Sequence, residues 1–335
     1  MKNILNKLFE HQRLSRAEAY DALTMITRGE ANEAQIAAFL TVYLMRSISI
    51  EELDGFRQAL LDLCVPFDLG GLPAVDLCGT GGDGKNTFNI STLASFVVAG
   101  AGGKVVKHGN YGVSSVCGSS NVLEALGYRF TNDTGVLRRQ LDEAGICFLH
   151  APLFHPALKS VGPVRRALGI KTFFNMLGPI VNPARPVHQF TGVFSLELLR
   201  LYGYLMQEDT RKGERSSFCV VHTIGGYDEI SLTAPVMTFT EAGPETLDPV
   251  QLGGPVTEQE IAGGDSIEAN ARLFTDILDG RGTPAQNRVV LANAAAALRC
   301  CFPKESLDDC LARAEESLQS GRAKRALERL VAGGS

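Results

Sequence analysis

The chain has 335 residues, of which 45% are hydrophobic and 21% are charged, a composition that suffices for one large core or two packed domains. Its formal net charge of -5 disfavours a general nucleic-acid-binding protein, because binding to the phosphate backbone requires a basic surface. No apolar run approaches the length of about 20 residues that a membrane helix needs, and the eight cysteines lack C-x-x-C spacing, which favours reduced thiols and a cytoplasmic location.

The first 65 residues predict a group of helices. The N-terminus reads as a short amphipathic helix rather than a signal peptide, and three helical segments follow over residues 15–29, 32–46 and 49–64. The first and third of these open with capping boxes, Ser15 with Glu18 and Ser49 with Glu52. A Pro- and Gly-rich stretch over 66–73 then separates this helical part from the rest of the chain.

Beyond this break, short apolar strands alternate with helices. We predict strands over 74–79, 104–109, 146–152 and 218–223, and helices over 89–102, 119–127 and much of 257–331. Such alternation indicates a mainly parallel sheet with helices on its faces, in which ligands bind beyond the carboxyl ends of the strands.

The stretch GTGGDGKN, residues 79–86, follows the first predicted strand and is similar to the phosphate loop of nucleotide hydrolases. Asn86 stands where that motif needs Ser or Thr, and Asp83 would repel a phosphate. A mobile glycine-rich turn is one alternative on local sequence alone. We favour another kind of anion site, in which the glycines let the main chain approach a phosphate and the following helix offers its free N–H groups with the Ser91 and Thr92 hydroxyls.

Two charge patterns also favour an anionic ligand. The loop KHGNYGVSSVCGSSN, residues 107–121, brings a cation, an imidazole, an amide and small hydroxyls to the end of the second predicted strand. Acidic residues are absent from 84–123 and from 144–196, although both stretches contain Lys and Arg, which indicates local positive fields. Either stretch alone could reflect chance or burial, and Lys107 alone would read as a surface lysine.

Two adjacent pairs of charged residues complete the candidate site. Arg165 and Arg166 lie on a predicted helix and point in different directions, so we expect one of them to bind a carboxylate through its planar fork. Asp228 and Glu229, in the loop GGYDEIS, could hold magnesium together with phosphates, whereas an ordinary acidic loop is the alternative. No G-x-S-x-G spacing is present, so acyl transfer has no support.

Six segments together resemble the anthranilate phosphoribosyltransferases, a family that shares its fold with pyrimidine nucleoside phosphorylases: DLCGTGGD, NIST, KHGN, GSSNVLEALG, HPALKSVGPVRRALGIKTFFNMLGPIVNPA and GGYDEIS. The resemblance covers nearly the whole chain and implies transfer of the phosphoribosyl group of 5-phosphoribosyl 1-pyrophosphate (PRPP) to anthranilate, in tryptophan biosynthesis. Tyr111 and Asn121 depart from the family pattern, which has Arg and Asp there. Both changes remove charge beside the predicted sugar-phosphate loop.

The resemblance also implies which residues bind each substrate. Anthranilate is bound by Gly79, Asn110 and Arg165, and magnesium by Ser91, Asp228 and Glu229. No residue is assigned as an acid or base, since an aromatic amine is unprotonated at neutral pH. The transition state is stabilised by Lys107, Asp83 and the metal site, in which magnesium neutralises the charge on the departing pyrophosphate. PRPP is bound by Gly79, Gly82, Asp83, Thr87, Asn89, Ile90, Ser91, Thr92, Lys107, His108, Gly109, Asn110, Ser114, Ser115 and Ser119.

The expected architecture is a small all-helical domain of residues 1–70, with a returning segment at about 165–190, and a larger α/β domain of residues 71–335. The resemblance implies a homodimer, which the helical N-terminus permits. Two alternatives remain. A pyrimidine nucleoside phosphorylase-like enzyme would not need the Asp228–Glu229 pair or the arginine fork, and a nucleic-acid-binding relative should have a basic surface and no acidic pair.

Overall fold

The computed structural model describes residues 1–112 and 116–334. The chain forms two compact units, the first made of residues 1–67 and 151–185, the second of residues 68–150 and the chain from 186 onward. The returning segment therefore begins at 151, earlier than the expected 165. Residues 151–160 are short helical turns rather than the end of a strand, and the Val65 N–H donates to the Phe154 carbonyl (2.8 Å), which ties them to the first unit.

The described helices, in chain order, are α1 Lys2–Phe9, α2 Arg16–Thr27, α3 Glu33–Met45, α4 Ile50–Leu63, α5 Ile90–Gly100, α6 Ser119–Ala125, α7 Thr134–Glu143, α8 Ala151–Phe154, α9 Gly162–Leu168, α10 Phe174–Leu177, α11 Leu196–Lys212, α12 Ile267–Leu278, α13 Pro284–Cys301, α14 Leu307–Gln319 and α15 Arg322–Ala332. The strands are β1 Val75–Gly79, β2 Val105–Gly109, β3 Ile146–His150, β4 His188–Gly192, β5 Ser217–Thr223, β6 Val236–Thr240 and β7 Gly243–Leu247. Within the described residues, no helix is both long and apolar enough to span a membrane.

The helices of the first unit begin where the sequence predicts. Both predicted capping boxes, Ser15 with Glu18 and Ser49 with Glu52, are confirmed, because each N-cap hydroxyl accepts a main-chain N–H and each glutamate accepts one in return. In the core of this unit, Phe56 of α4 stacks on Phe173 of the returning segment at 4.6 Å between ring centroids. This aromatic contact explains why the returning segment belongs to the helical unit.

Glu52 has a second role, as a buried ion in the centre of the first unit. Its carboxylate is fully buried and is paired with Arg46 at 2.6 Å. It also accepts hydrogen bonds from the Leu14 N–H (3.0 Å), the Tyr43 hydroxyl (3.1 Å) and the Ser49 N–H (3.0 Å). Burial raises the pKa of Glu52, but the hydrogen bonds from Arg46 and the main chain outweigh burial, so the net pKa lies below its usual value.

The strands of the second unit form one sheet in the order β3-β2-β1-β4-β5-β6-β7. The five strands from β3 to β5 are parallel, and β6 and β7 are added by antiparallel pairing. The predicted α/β class with a mainly parallel sheet is confirmed. The predicted strand over 146–152 ends at His150, and β4, β6 and β7 were missed because their short apolar stretches lack an extended hydrophobic run.

The core of the second unit lies between the sheet and a layer of helices that includes α5, α13 and α14. Ser317 of α14 is fully buried there, and its hydroxyl donates to the Val97 carbonyl of α5 (2.7 Å). In strand order, β1 lies between β2 and β4. The sheet therefore continues through β2 and β3 on one side of β1 and through β4 and β5 on the other. The crevice at the carboxyl ends of β1 and β4 is therefore the expected ligand position in such a sheet.

Candidate functional site

Two glycines at the ends of neighbouring strands make room for the loop that follows β5. Gly79 ends β1 and Gly192 ends β4, and the two pair directly in the sheet. We call residues 224–231, which contain the predicted acidic pair, the acidic loop. A β-carbon on Gly192 would overlap the carbonyl oxygen of Asp228, and one on Gly79 would lie 2.5 Å from its Oδ2 atom. The acidic loop can therefore cross both strand ends only because neither has a side chain.

We expect Gly192→Ala to lower the free energy of unfolding by about 3 kcal/mol, because the new methyl group would overlap main-chain atoms that cannot rotate away. Urea unfolding followed by far-UV circular dichroism measures the change, since the chain contains no tryptophan. Gly135→Ala is the matched control, because its β-carbon would meet only exposed side chains, the Asp133 carboxylate at 3.1 Å and the Arg139 guanidinium group at 4.0 Å. An unchanged stability for Gly192→Ala would contradict this packing.

The acidic loop also contacts the glycine loop, which we define as residues 79–86, and the start of α5. The Gly81 N–H donates to Oδ2 of Asp228 (2.6 Å), and the Ser91 N–H donates to Oε1 of Glu229 (3.3 Å). Both carboxylates are at least nine-tenths buried. Three segments that are far apart in the sequence thus meet at the carboxyl ends of the strands, and each was predicted to belong to the site.

The surroundings of the two carboxyl groups disfavour their ionised forms. Burial raises the pKa of Asp228 well above its usual range, and the charges of Glu229 and Asp83 raise it further. Burial also raises the pKa of Glu229, against the opposing effect of the Lys107 cation and of hydrogen bonds from Ser91. A pair of this kind is stabilised when a cation lies beside it, so the electrostatics favour cation binding.

The donor set fits magnesium. Within residues 1–112 and 116–334, no three His, Cys, Asp or Glu side chains are grouped as a metal-ligand set. The acidic loop supplies two carboxylates, and Ser91 adds a neighbouring hydroxyl at the start of α5. Magnesium is commonly held by one or two carboxylates together with substrate phosphates and water, and this site supplies that number of charged ligands.

Lys107 lies beneath this site instead of on the surface. The residue is only 2% exposed, and its ammonium group donates to the Leu77 carbonyl in the middle of β1. Its charge acts on Glu229. The alternative of a solvated surface lysine is therefore wrong, and the lysine balances part of the negative charge of the acidic loop. His108, the next residue of β2, is also buried, and its main-chain N–H donates to Oδ1 of Asp76 (3.1 Å).

The glycine loop leaves β1 in a conformation that glycine favours. Gly81 and Gly82 have φ angles of 63° and 76°. Asp83 accepts the Lys85 N–H (2.9 Å), and the Lys85 ammonium group pairs with Glu258 (3.2 Å).

The remaining predicted PRPP residues of this segment lie just after the loop. Thr87 bridges to Ala262, and Asn89 donates to the Cys117 carbonyl (2.8 Å). Ile90 and Thr92 are buried in the first turn of α5.

The loop after β2 is closed by Asn121, one of the two positions that depart from the family pattern. Its Oδ1 atom accepts the N–H groups of Gly112 (2.9 Å) and Gly118 (3.0 Å). An amide oxygen performs this function without charge. Asn110 lies exposed at the loop start, directly after Gly109, and its carbonyl accepts the hydroxyl of Ser119 (3.3 Å). The predicted PRPP residues Ser114 and Ser115 lie outside the described residues.

Tyr111, the second departure, belongs to an aromatic group at the ends of β2 and β3. Its ring lies edge-on to His150 at 5.0 Å, and His150 stacks on Phe130 at 4.2 Å. The Nδ1 atom of His150 lies 2.9 Å from the Ser120 hydroxyl. Burial lowers the pKa of His150 to about 4, so this imidazole is neutral at physiological pH. Tyr111 therefore adds an aromatic ring where the family pattern has a cation.

Arg165 belongs to the first unit, whereas Gly79 and Asn110 belong to the second. It is half-buried on α9, donates to Asn175 Oδ1 (3.1 Å) and lies 5.3 Å from the centre of the Phe174 ring. Burial lowers the pKa of its guanidinium group, which means that burial disfavours this charge without an anionic partner. Arg166 is exposed, so the two arginines do point in different directions, as predicted.

Sequence reasoning missed Gly192, Thr223 and Asn293, all of which contact the acidic loop. Gly192 lies in the missed strand β4, Thr223 ends β5, and Asn293 lies in the alanine-rich helix α13. The other buried residues of α13 are Ala, Val, Leu or Cys, so a single Asn among them was a usable signal.

The chain is similar to known proteins over nearly its whole length. Residues 2–64 match the model of the glycosyl transferase family, helical bundle domain, and residues 71–324 match that of the same family's a/b domain. The chain is 54% identical to the anthranilate phosphoribosyltransferase of Flavobacterium johnsoniae over 98% of each chain. Its structure is similar to that of the Thermus thermophilus anthranilate phosphoribosyltransferase (TM-score 0.90, 34% identity, 98% of both chains). It is also similar to the Saccharomyces cerevisiae enzyme in complex with PRPP and Mg (TM-score 0.89, 28% identity, 99% and 97% of the two chains).

Proposed function

The chain belongs to the glycosyl transferase family and, within it, to the anthranilate phosphoribosyltransferases, and from this premise we propose how its residues transfer the phosphoribosyl group of PRPP to anthranilate. The products are N-(5-phosphoribosyl)anthranilate and pyrophosphate, in tryptophan biosynthesis. One observation carries the assignment of the site. The acidic loop lies against the glycine loop and the start of α5, so that two carboxylates meet two main-chain segments suited to a pyrophosphate.

The glycine loop and the start of α5 bind the pyrophosphate and ribose of PRPP in this proposal. The main-chain N–H groups of the loop and the first turn of α5 donate to phosphate oxygens, and Ser91 and Thr92 add hydroxyls. Asp83 accepts a hydrogen bond from a ribose hydroxyl, because as an anion it would repel a phosphate. Residues 107–110, with Ser119, contact the remainder of the phosphoribosyl group.

Magnesium is held by Asp228, Glu229 and Ser91 in this proposal, and when bound it neutralises the charge that develops on the departing pyrophosphate. The Lys107 ammonium group lowers the pKa of Glu229 and so offsets part of the negative charge of the acidic pair. The C1–O bond of PRPP breaks with oxocarbenium character, so positioning and leaving-group stabilisation supply most of the catalysis. No residue has to remove a proton before attack, because the amine of anthranilate is already neutral.

Arg165 binds the carboxylate of anthranilate in this proposal. A guanidinium group whose charge is disfavoured by burial gains more from a carboxylate partner than an exposed one does. The neighbouring Phe174 ring and the Asn175 side chain hold the guanidinium group in place. The geometry of Arg165 therefore suits an aromatic acid as the acceptor.

We expect Arg165→Ala to raise the KM for anthranilate by about 10- to 100-fold, the loss of one hydrogen-bonded ion pair. The KM for PRPP should change by less than about twofold, because the lost contact is made to the acceptor alone. Steady-state kinetics with each substrate varied in turn measures both values. Arg166→Ala is the matched control, since it removes the adjacent, exposed guanidinium group. Equal increases in both KM values would reject the carboxylate role.

The direct test of the activity is to mix the protein with PRPP, magnesium chloride and anthranilate and to follow the loss of anthranilate fluorescence. Loss of fluorescence that requires the protein, PRPP and magnesium together supports the proposed function. Activity with a nucleoside and inorganic phosphate in the presence of EDTA would instead support phosphorolysis.

We also propose a cytoplasmic homodimer. All eight cysteines are free, as expected for a reducing compartment. The first unit exposes Phe9, Leu44 and Met45, which lie on α1 and α3, at 56%, 43% and 82% of their surface. Apolar side chains of this size are suited to contact with a second copy of the chain.

A further inference from the structure

The shape of the acidic loop depends on a buried hydroxyl at the end of β5. Thr223 is fully buried, and its Oγ1 atom donates to the Glu229 carbonyl (2.6 Å) and accepts the Ser231 N–H (3.2 Å). Its own N–H donates to the Tyr227 carbonyl (3.2 Å). One residue thus joins the beginning of the loop to its end.

Asn293 holds the residue between these two contacts. It is fully buried in α13; its Oδ1 atom accepts the Ile230 N–H (3.0 Å), and its Nδ2 atom donates to the Ile230 carbonyl (2.9 Å). The second hydrogen of the same amide nitrogen donates to the Val289 carbonyl within α13 (2.8 Å). We call Thr223 and Asn293 the loop clamp, because together they bind the main chain of residues 229–231.

The loop clamp is costly unless the loop is in place. Burying an amide and a hydroxyl is unfavourable when their hydrogen bonds are not made. Among the described residues, each group of the clamp finds its partners only on the acidic loop or within its own helix. The clamp therefore stabilises one conformation of the loop and penalises others.

The loop also needs such a restraint. Asp228 and Glu229 are adjacent buried carboxyl groups, so their mutual repulsion when both are ionised favours separation of the two side chains. The Gly81 and Ser91 N–H groups hold one oxygen of each carboxylate, but the main chain between and beyond them must be held as well. Otherwise a cation would first have to order the loop, which weakens its binding.

We propose that Thr223 and Asn293 are positioning residues that hold the Asp228 and Glu229 carboxylates in a cation-binding arrangement before the cation arrives. Both residues are fully buried and act through the main chain next to Glu229. The inference rests on the proposed function, because it assigns Asp228 and Glu229 to magnesium.

The test compares Thr223→Val, which keeps the shape of the side chain but removes the hydroxyl, with Thr223→Ser, which keeps the hydroxyl. Binding of Mn²⁺, a paramagnetic substitute for Mg²⁺, is measured by electron paramagnetic resonance with PRPP present and anthranilate absent, so that no turnover occurs. We expect Thr223→Val to weaken Mn²⁺ binding by about 10-fold or more, as is typical when a residue that orients a metal ligand is lost. Thr223→Ser should stay within about twofold of the wild type.

Steady-state kinetics gives a second readout. We expect Thr223→Val to raise the magnesium concentration needed for half-maximal rate by about the same 10-fold and to leave the KM for anthranilate within about twofold. Asn293→Ala tests the other half of the clamp by the same measurements and covers the case in which Thr223→Val does not fold. Ser317→Ala is the control, because it removes another buried hydrogen bond to a main-chain carbonyl, one that joins α14 to α5 and does not involve the acidic loop.

Three results would overturn the proposal. The first is Mn²⁺ binding that is as tight in Thr223→Val and Asn293→Ala as in the wild type. The second is a weakening of Mn²⁺ binding by Ser317→Ala that is as large as the weakening by the clamp variants. The third is an equal loss of Mn²⁺ binding and of anthranilate affinity in a clamp variant with a lowered melting temperature, which indicates general destabilisation. A wild type that does not transfer the phosphoribosyl group would reject the proposed function. An active wild type with unchanged Mn²⁺ binding in Thr223→Val would reject only the role of the loop clamp.

Discussion

Replacement of both carboxylates of the acidic loop, by Asp228→Asn with Glu229→Gln, is expected to lower kcat by at least about 10³-fold and to abolish the magnesium dependence of the remaining rate. The amides keep the size of the side chains but lose the two negative charges that bind the cation. Residual turnover, measured from anthranilate fluorescence across a magnesium titration, gives both quantities.

The same double variant should be more stable than the wild type in the absence of magnesium. Burial raises the pKa of both carboxyl groups, so ionisation in the folded state costs stability as the pH rises through these raised values. The amides cannot ionise, and an amide oxygen can still accept the Gly81 N–H. The melting temperature of the variant should exceed that of the wild type at pH 8, and the difference should vanish below the usual carboxyl pKa of about 4.

The control for this variant is the adjacent acidic pair on the exposed surface of α14, Glu315→Gln with Glu316→Gln. It removes the same two charges from the chain, and we expect activity and its magnesium dependence to remain unchanged. Full turnover by Asp228→Asn with Glu229→Gln would remove the metal assignment. A variant that loses activity and is also less stable at pH 8 would indicate a structural role for the carboxylates.

The largest effect on stability is expected from Glu52→Ala, at about 3–5 kcal/mol of unfolding free energy in the first unit. The substitution leaves the Arg46 guanidinium, the Leu14 and Ser49 N–H groups and the Tyr43 hydroxyl without their common acceptor. Urea unfolding by circular dichroism measures the loss. Glu51→Ala, in the same first turn but exposed, should change stability by no more than about 0.5 kcal/mol.

The pH dependence of the Glu52 effect has a definite sign. The pKa of Glu52 is lowered in the folded state, so its carboxylate contributes stability above the usual carboxyl pKa. That contribution is lost as the pH falls through the lowered value. The difference between wild type and Glu52→Ala should therefore be constant near neutrality and shrink in acid; a difference that grows in acid would contradict the ion pair with Arg46.

Local signals in the sequence predicted local structure well. The Ser15 and Ser49 capping boxes predicted the starts of α2 and α4, because a capping box is formed by residues three apart. The apolar runs predicted β1, β2, β3 and β5 and, with them, the α/β class. Strand β4 was missed because HQFTG has one large apolar residue, and it is buried in the sheet only through its neighbours on both sides.

The residues of the acidic loop were predicted, but its supports were not. Thr223 and Gly192 end strands with no signal that distinguishes them from other strand ends. Lys107 was predicted to belong to the site, but its burial against β1 was not. Their roles depend on which atoms lie opposite them: the Glu229 carbonyl for Thr223, the Asp228 main chain for Gly192, and the Leu77 carbonyl for Lys107.

The sequence by itself determined the helical first part, the strand-helix alternation, the glycine loop and the family, because each depends on residues that are close in the chain or on their order. Only the tertiary structure decided that Asp228 meets Gly81, which is 147 residues away, and that Glu229 meets Ser91, which is 138 residues away. The physical reason is that strand order brings β1 next to β4 and β4 next to β5, so loops that are remote in sequence share one edge of the sheet. The burial that raises the pKa of both carboxyl groups exists only once those loops are packed together.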